Sequence, residues 1–167
     1  MPIAKQKIWP CLWFDGNGEE AARFYVSIFP DSRILDIGYY GKSGEDVHGQ
    51  KPGSVMTVTF VLDGQHFMAL NGGPQFKFNE SLSFQVFCDT QAEIDRYWKA
   101  LTAGGGQEGP CGWLKDKFGL SWQIVPSIIP SMIASRDQSK TDRAMGAVMQ
   151  MKKLDIARLE AAYEGRA

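Results

Sequence analysis

Hydrophobic and polar residues follow the same order twice along the chain, and the first copy ends near residue 71. In that copy, alternating positions predict a strand over residues 8–14, and an apolar stripe at helical spacing predicts a helix over 19–29. Three further strands are predicted before residue 71, and the last two are joined by a tight turn at Asp63-Gly64. The predicted order of elements is therefore βαβββ.

The second copy repeats this order. A strand is predicted over residues 82–88, followed by a helix that begins at the cap Asp89-Thr90 and ends near Leu101. Two or three short strands complete the copy, and the last pair forms a hairpin over residues 111–126. Because an aspartate before the helix and an aromatic pair within it occur in both copies, we interpret the pattern as a duplication.

The fold class that this pattern predicts is α+β, with two βαβββ modules and a C-terminal helical tail. We expect one domain over residues 1–167, divided into a first module over 7–71, a joint over 72–80, a second module over 81–126 and a tail over 127–167. Apolar residues at helical spacing in the tail are typical of core or dimer contacts. The tail thus either closes a cavity or braces a dimer, and the joint allows the modules to pair within one chain or between two.

Composition narrows the class of protein. Apolar residues make up 44% of the chain and aromatic residues 12%, which is enough for a packed interior. The net charge of −1, with lysine and arginine spread along the chain, argues against a nucleic-acid partner. The sequence shows neither the apolar stretch of a signal peptide nor a run of membrane-spanning length, and its three cysteines have no CxxC spacing. We therefore expect a reduced, cytoplasmic protein without a membrane partner.

Three blocks of the sequence carry a resemblance: WFDGNGEEAARFYVSIFPDSRI, MTVTFVLDGQHFMALNGGP and CGWLKDKFGLSWQIVP. They are similar to the PhnB-like branch of the vicinal oxygen chelate superfamily, which includes glyoxalase I, extradiol dioxygenases and bleomycin-resistance proteins. Members of this branch often carry the description 3-demethylubiquinone-9 3-methyltransferase. The resemblance covers residues 7–126. It implies two modules of the glyoxalase/bleomycin-resistance type, each a curved sheet around a small-molecule cavity, assembled as a homodimer.

Most strands of the pattern have one apolar side and one mixed side, and we assign the mixed side to the cavity because strand side chains alternate. The mixed sides supply these candidates for hydrogen bonding a ligand: Thr57, Thr59, Ser83, Gln85 and Gln123. Ser121 and Val125 share the mixed side of Gln123. The alternation predicts four further inward-pointing residues: Pro10, Leu12, His66 and Met68. Cys11 and Cys88 are predicted on the helix-facing side, as buried and inert thiols.

Metal sites of the superfamily draw histidine or carboxylate ligands from the first and last strands of each module. By position, these ligands fall on Pro10, Met68 (or Ala69 if the hairpin shifts by one), Ser83 and Gln123. Hard divalent metals prefer anionic oxygens and imidazoles, and none of these residues supplies either. We therefore predict a scaffold that works without a metal, and we predict no other cofactor.

His66 and His48 are the two histidines of the chain, and they lack the HxH or HExxH spacing of a zinc site. His48 lies in a polar loop and is expected to be exposed. His66 is the candidate catalytic residue, acting as acid or base near neutral pH, and its alternative is a hydrogen-bonded structural histidine. Of the residues before the Phe118 turn, Asp116 is expected to bind the turn backbone.

Trp113 and Lys115 are added to the candidate pocket because an indole can stack on a planar ligand and a lysine can attract an anion. Their alternatives are a core or dimer contact for Trp113 and a solvated strand end for Lys115. The glycine run at 104–106 follows a helix, whereas a Rossmann-type cofactor turn follows a strand and opens a helix. The sequence therefore gives no support to methyl transfer.

Two functions from different classes remain open at this point. The first is a metal-independent binding protein whose pocket holds a small, partly apolar molecule through neutral hydrogen-bonding groups. The second is an enzyme that acts on such a molecule with His66 as proton carrier. The binding protein is favoured because the sequence shows neither an acid–base pair nor a nucleophile–base pair.

Overall fold

The computed structural model describes residues 6–166, and these divide into two compact units, one ending at Lys77 and the next beginning at Phe78. Each unit contains one four-stranded sheet. The division falls inside the segment predicted as a joint, residues 72–80. The predicted α+β fold, with two βαβββ modules and a helical tail, is confirmed.

The first unit contains a sheet in the order β1-β4-β3-β2, with β1 parallel to β4 and the other pairs antiparallel. Its elements are β1 (Cys11–Phe14), α1 (Gly18–Ile28), β2 (Arg33–Tyr39), α2 (Glu45–His48), β3 (Val55–Leu62) and β4 (Gln65–Asn71). The turn between β3 and β4 places Asp63 and Gly64 at positive φ angles of 46° and 77°. These angles are those of the tight hairpin turn that the sequence predicts.

The second unit repeats this arrangement, with the sheet order β5-β8-β7-β6 and β5 parallel to β8. Its elements before the tail are β5 (Ser83–Cys88), α3 (Gln91–Thr102), β6 (Gln107–Glu108), β7 (Trp113–Lys115) and β8 (Ser121–Pro126). Thr90 caps α3 in a capping box with Glu93, as the sequence predicts for this position. The same sheet order and the same parallel pair in both units support duplication.

One long helix covers one face of each sheet. In the first unit α1 buries Ala21, Ala22 and Tyr25, and the Tyr25 ring stacks on Phe60 of β3. In the second unit, α3 buries its own apolar stripe against Leu114, Trp122 and Ile124 on the sheet. Side chains at the alternate strand positions therefore point away from the helices, toward the face that the sequence assigns to a cavity.

The orientation of β1 differs from the prediction. Leu12 lies opposite Ala69 and is 2% exposed on the helix side, whereas Cys11 lies opposite Met68 and is exposed. The predictions that Leu12 points inward and that Cys11 is buried are therefore wrong. The physical reason is that the strand begins only at Cys11, so its phase is set by parallel pairing with β4 and not by the residues before it. Pro10 precedes the strand and accepts a hydrogen bond from Met68 N–H.

The cysteines differ in accessibility, which gives a simple chemical test. Cys88 is fully buried, and its burial raises the pKa of the thiol to about 12. At about pH 8, only on the order of one Cys88 thiol in ten thousand is then the reactive thiolate. Burial also raises the pKa of Cys11, but that side chain is exposed to reagent.

We expect iodoacetamide to alkylate Cys11 in the native protein while Cys88 stays unmodified, as followed by peptide mass spectrometry. In the denatured protein both cysteines should react at similar rates, which serves as the control. Equal labelling of Cys88 and Cys11 in the native protein would show that the phase of β1 or β5 is different from that described.

The tail forms part of the second unit and contains α4 (Ile129–Ile133), α5 (Gln138–Met149) and α6 (Ile156–Tyr163). Its apolar stripes form a core cluster of Ala147, Val148, Met151, Leu154, Leu159 and Ala162. The chain between α5 and α6 accepts hydrogen bonds of 2.7 Å from the backbone N–H groups of Cys111 and Gly112. The tail thereby fixes the loop that leads into β7. Within residues 6–166, each helix is too short or too polar to cross a membrane.

Candidate ligand site on the second sheet

Four polar side chains form a row across the second sheet, on the face away from α3. The strand register places Gln107 opposite Lys115, Lys115 opposite Ser121, and Ser121 opposite Ser83. Residues that are directly opposite on neighbouring strands have side chains on the same face, with Cβ atoms about 5 Å apart. The row therefore contains two hydroxyls, one amide and one ammonium group.

A second row lies beside the first and contains Trp113, Gln123 and Gln85 in register. The Gln85 amide Nε2 donates to Gln123 Oε1 at 3.2 Å, and Gln123 Nε2 donates to Ser83 Oγ at 2.8 Å. The three side chains form a chain of neutral hydrogen bonds that connects β5 to β8. Such a network holds its members in fixed positions.

An open cavity with a volume of about 460 Å³ lies over part of this face. Its lining includes Trp113, Lys115 and Ser121 from the sheet. Glu80 and the segment that contains Cys111 contribute the edge of the cavity. The volume falls in the range of small-molecule sites in proteins. All of these residues belong to the second unit.

Ser121 has an unusual environment within this cavity. The residue is 1% exposed, and its Oγ is the one buried side-chain nitrogen or oxygen without a hydrogen-bond partner in the part of the chain that the structure describes. A buried hydroxyl without a partner destabilises the folded state by about 1–3 kcal/mol. We therefore expect the Ser121 hydroxyl to serve a function other than stabilising the fold.

Lys115 is the positively charged side chain among the described residues that line the cavity. Its ammonium group forms an ion pair with the carboxylate of Glu80, whose side chain is 63% exposed. The hydrogen bond from Lys115 lowers the pKa of Glu80 below its ordinary value. A second carboxylate at the cavity, that of Glu108, instead accepts a 2.7 Å hydrogen bond from the indole Nε1 of Trp98 in α3.

Asp116 supports the hairpin that carries these side chains. The residue is 3% exposed, and its carboxylate accepts hydrogen bonds from the backbone N–H groups of Phe118 and Leu120 and from Trp122 Nε1, at 2.8, 3.1 and 2.8 Å. The expectation that Asp116 binds the turn backbone is confirmed. Its role is to hold the turn between β7 and β8 and thus to position Lys115 and Ser121.

The positions that would hold the metal implied by the superfamily resemblance offer an unsuitable set of donors. Gln123 and Ser83 hydrogen-bond to each other, Met68 offers a thioether and Pro10 has no donor atom in its side chain. A hard divalent cation prefers anionic oxygens or imidazoles. In residues 6–166, no three histidine, cysteine, aspartate or glutamate side chains are grouped as a metal site would require. These residues do not fit the metal.

The other predicted pocket residues lie on the first sheet. Thr57 pairs with Leu70, Thr59 pairs with Met68, and both threonines point away from α1. The structure therefore brings together five of the predicted pocket residues on the second sheet, namely Ser83, Gln85, Trp113, Lys115 and Gln123. It places Thr57 and Thr59 on the sheet of the other unit.

His66 also belongs to the first unit, opposite Val61. Its Nδ1 lies 3.2 Å from Gln6 Oε1, and its ring stacks on Trp9 with 4.7 Å between the ring centres. Since an amide oxygen only accepts hydrogen bonds, Nδ1 is the donor in this contact. His48 is half-buried rather than fully exposed, and its Nδ1 accepts a hydrogen bond from Gln50 N–H.

Of the residues that the sequence pattern predicts as pocket candidates, only Trp113 and Lys115 line the cavity. Ser121 and Glu80 are two lining residues that the pattern did not single out. Ser121 was placed on the mixed face beside Gln123, so the alternation carried the signal, but its missing partner is visible only in three dimensions. Glu80 lies in the segment before β5 and reaches Lys115 through a loop. A sequence pattern gives no register for a loop, so this contact left no signal.

Comparison with known proteins identifies the family. The model of the family described as 3-demethylubiquinone-9 3-methyltransferase matches residues 6–125, which is more than half of the chain. The chain belongs to this family. Membership in the PhnB-like branch, predicted from the three sequence blocks, is confirmed. No curated protein matches the chain at a significant level.

Solved structures agree with this assignment. The PhnB protein from Bacillus cereus is 36% identical, with a TM-score of 0.62, and the match covers 72% of this chain and 99% of that protein. Protein PA1353 from Pseudomonas aeruginosa is 23% identical, with a TM-score of 0.59 and coverage of 73% and 98%. The fosfomycin resistance protein FosX from Mesorhizobium loti is 14% identical, with a TM-score of 0.55 and coverage of 80% and 100%. The PA1353 and FosX matches show a shared fold.

Proposed function

We propose that this PhnB-like protein binds a small molecule without a metal, in the cavity on the second sheet. The observation that carries the proposal is the Ser121 hydroxyl, which is buried in the cavity lining without a hydrogen-bond partner. A ligand that enters the cavity and hydrogen-bonds this hydroxyl would recover the free energy that the group loses by burial. The neutral chain of Gln85, Gln123 and Ser83 provides further donors and acceptors beside it.

The chemistry of the lining favours a ligand that is partly apolar. Trp113 and Pro110 provide apolar surface, and the polar residues Lys115 and Ser121 lie in register on the sheet. Small-molecule sites in proteins usually combine an apolar lining with a few placed polar groups that fix the orientation of the ligand. Because the polar groups nearest to Gln123 are neutral, they orient a ligand without the charge of a metal ion.

Methyl transfer, which the family description names, has no support in the glycine-rich run. Gly104 and Gly105 have positive φ angles of 72° and 114° at the end of α3, and Gly106 leads into β6. A Rossmann-type turn for a cofactor would instead follow a strand and open a helix. The run reverses the direction of the chain at the end of α3. This turn explains why glycines occur there.

An enzyme that uses His66 as a proton carrier is the alternative. Within the first unit, the ring of His66 is hydrogen-bonded to Gln6 and stacked on Trp9. These contacts give the histidine a structural role, and we therefore leave it outside the proposed site. Replacing His66 with glutamine should leave ligand binding in the second unit unchanged, so a loss of turnover in that variant would favour the enzyme.

The homodimer that the resemblance implies and the cytoplasmic location that the sequence predicts stay predictions. Light scattering on the purified protein measures the oligomeric state, and a mass near twice 18.6 kDa is expected. A mass of one chain at all protein concentrations would contradict the dimer.

The proposal predicts opposite effects of one substitution on stability and on binding. Ser121→Ala removes a buried hydroxyl without a partner, so the free energy of unfolding should rise by about 1 kcal/mol. The same variant should lose a large part of the ligand-induced rise in melting temperature, because the ligand can no longer bind that hydroxyl. Differential scanning fluorimetry with a panel of small metabolites measures both effects.

Ser131→Ala is a suitable control, because this exposed hydroxyl already donates to a backbone carbonyl within its own helical turn. It should change neither the stability nor the binding appreciably. If Ser121→Ala lowers stability, the hydroxyl has a structural partner and the observation that supports the site fails. If the variant binds every ligand as well as the wild type, Ser121 is outside the site.

A further inference from the structure

We infer that the ligand of this cavity is a small planar organic anion, whose anionic group takes the place of the Glu80 carboxylate on Lys115. The inference rests on the proposed function, since it names the class of molecule that the same cavity takes. It is carried by the Lys115–Glu80 pair, by the position of Ser121 beside Lys115, and by the indole of Trp113.

The Glu80 carboxylate shows that the geometry around Lys115 suits an anionic group. Lys115 extends from β7 on the cavity face, and Glu80 reaches it from the segment before β5. The two side chains are 35% and 63% exposed, so the pair lies at the open side of the cavity. Ion pairs at this level of exposure contribute little to stability, and a competing anion can therefore displace Glu80.

Once Glu80 is displaced, Lys115 determines the charge preference of the cavity. Glu108, the other carboxylate in the lining, lies opposite Leu114 in the register and binds Trp98 on the helix side. Its carboxylate is thereby directed away from the face that carries Lys115. Of the described residues that line the cavity, the charged ones are Glu80, Glu108 and Lys115, and Lys115 is left as the cation without a paired carboxylate.

Ser121 lies beside Lys115 in the lining of the cavity. The two residues are directly opposite in the β7–β8 hairpin, and Ser121 Oγ is buried on the face that carries the lysine side chain. A ligand that binds the ammonium group of Lys115 would also supply a hydrogen-bond partner to Ser121. A single binding event would then provide the charge contact and satisfy the buried hydroxyl.

Trp113 favours a planar ligand. Its side chain is half-buried, lines the cavity and lies in register with Gln123, two positions before Lys115 on the same face of β7. An aromatic ring binds well against an indole, and a carboxylate on that ring would extend along β7 toward Lys115. Benzoate has this form, and benzamide is a neutral molecule of almost the same shape.

The test compares benzoate with benzamide by NMR titration of the ¹⁵N-labelled full chain. Benzoate is expected to shift the signals of the Lys115 and Ser121 amides and of the Trp113 indole, and to bind at least about tenfold more tightly than benzamide. Lys115→Gln should weaken benzoate binding by at least about tenfold. Glu80→Gln should strengthen benzoate binding by about two- to fivefold, because the competing carboxylate is gone.

Asp95→Asn is the matched control, since it breaks a different exposed ion pair, with Lys153, in the same unit. It should leave the affinity for benzoate unchanged. The inference is overturned if benzoate shifts none of the cavity signals in Glu80→Gln, or if benzamide binds as tightly as benzoate. In either case, a neutral metabolite that binds wild type and fails to bind Ser121→Ala would leave the proposed function in place.

Discussion

Replacing Asp116 with alanine is expected to lower the free energy of unfolding of the second unit by about 3–5 kcal/mol, as measured by urea denaturation. In a buried position, the carboxylate accepts hydrogen bonds from the backbone N–H groups of Phe118 and Leu120 and from Trp122 Nε1. Without it, two backbone N–H groups and the indole of Trp122 lose their acceptor, and each unpaired buried donor destabilises the fold. Asp116→Asn keeps one acceptor oxygen but presents an NH₂ group to the same donors, so an intermediate loss is expected.

Asp46→Ala provides the control, because Asp46 is exposed in the short helix α2 of the first unit. Its effect should stay within about 0.5 kcal/mol. Asp116→Ala should also abolish binding in the cavity, since the turn that it holds positions Lys115 and Ser121 on neighbouring strands. A loss of less than about 1 kcal/mol would show that the turn is held by other contacts.

Replacing Gly106 with alanine is expected to lower the free energy of unfolding by about 2–4 kcal/mol, the second large effect. A Cβ at this position would lie 2.7 Å from Thr102 Cα and 2.8 Å from both the Leu101 and the Lys115 carbonyl oxygens. All three are backbone atoms, so a change of side-chain rotamer cannot relieve the contact. The end of α3 and strand β7 would have to move apart.

Gly146→Ala is the matched control for this substitution. Gly146 lies in α5, is exposed, and has open space around the position of a Cβ. Alanine should therefore stabilise the protein by about 0.5–1 kcal/mol, through helix propensity and the lower entropy of the unfolded chain. An unchanged free energy of unfolding in Gly106→Ala would show that the glycine run is not closely packed. A ligand-binding role for that run would then have to be reconsidered.

The fold could be predicted where short stretches of the sequence carry a recognisable pattern. Alternation in β3, β5 and β8, the Asp63-Gly64 turn and the capping box at Thr90 each leave a pattern that short-range physics explains. The failure at Cys11 and Leu12 has the same origin. A four-residue strand contains too few alternations to set its phase, and pairing with β4 decided it.

The candidate site could be predicted only as far as strand alternation extends. Ser83, Gln85 and Gln123 were assigned to one face from sequence, and the structure joins them by hydrogen bonds. The contact of Glu80 with Lys115 depends on the path of a loop. Whether Ser121 Oγ has a hydrogen-bond partner depends on the positions of all the atoms around it. Those positions are known only from the packed structure.

The measurement that tests the central claim most directly is ligand binding to protein whose metal content has been determined by elemental analysis before and after dialysis against EDTA. Metabolites that raise the melting temperature should do so equally in both samples, and Gln123→Ala, which breaks the chain from Gln85 to Ser83, should remove the effect. Binding that is lost on dialysis and restored by a divalent cation would contradict the account, as would full binding by Gln123→Ala.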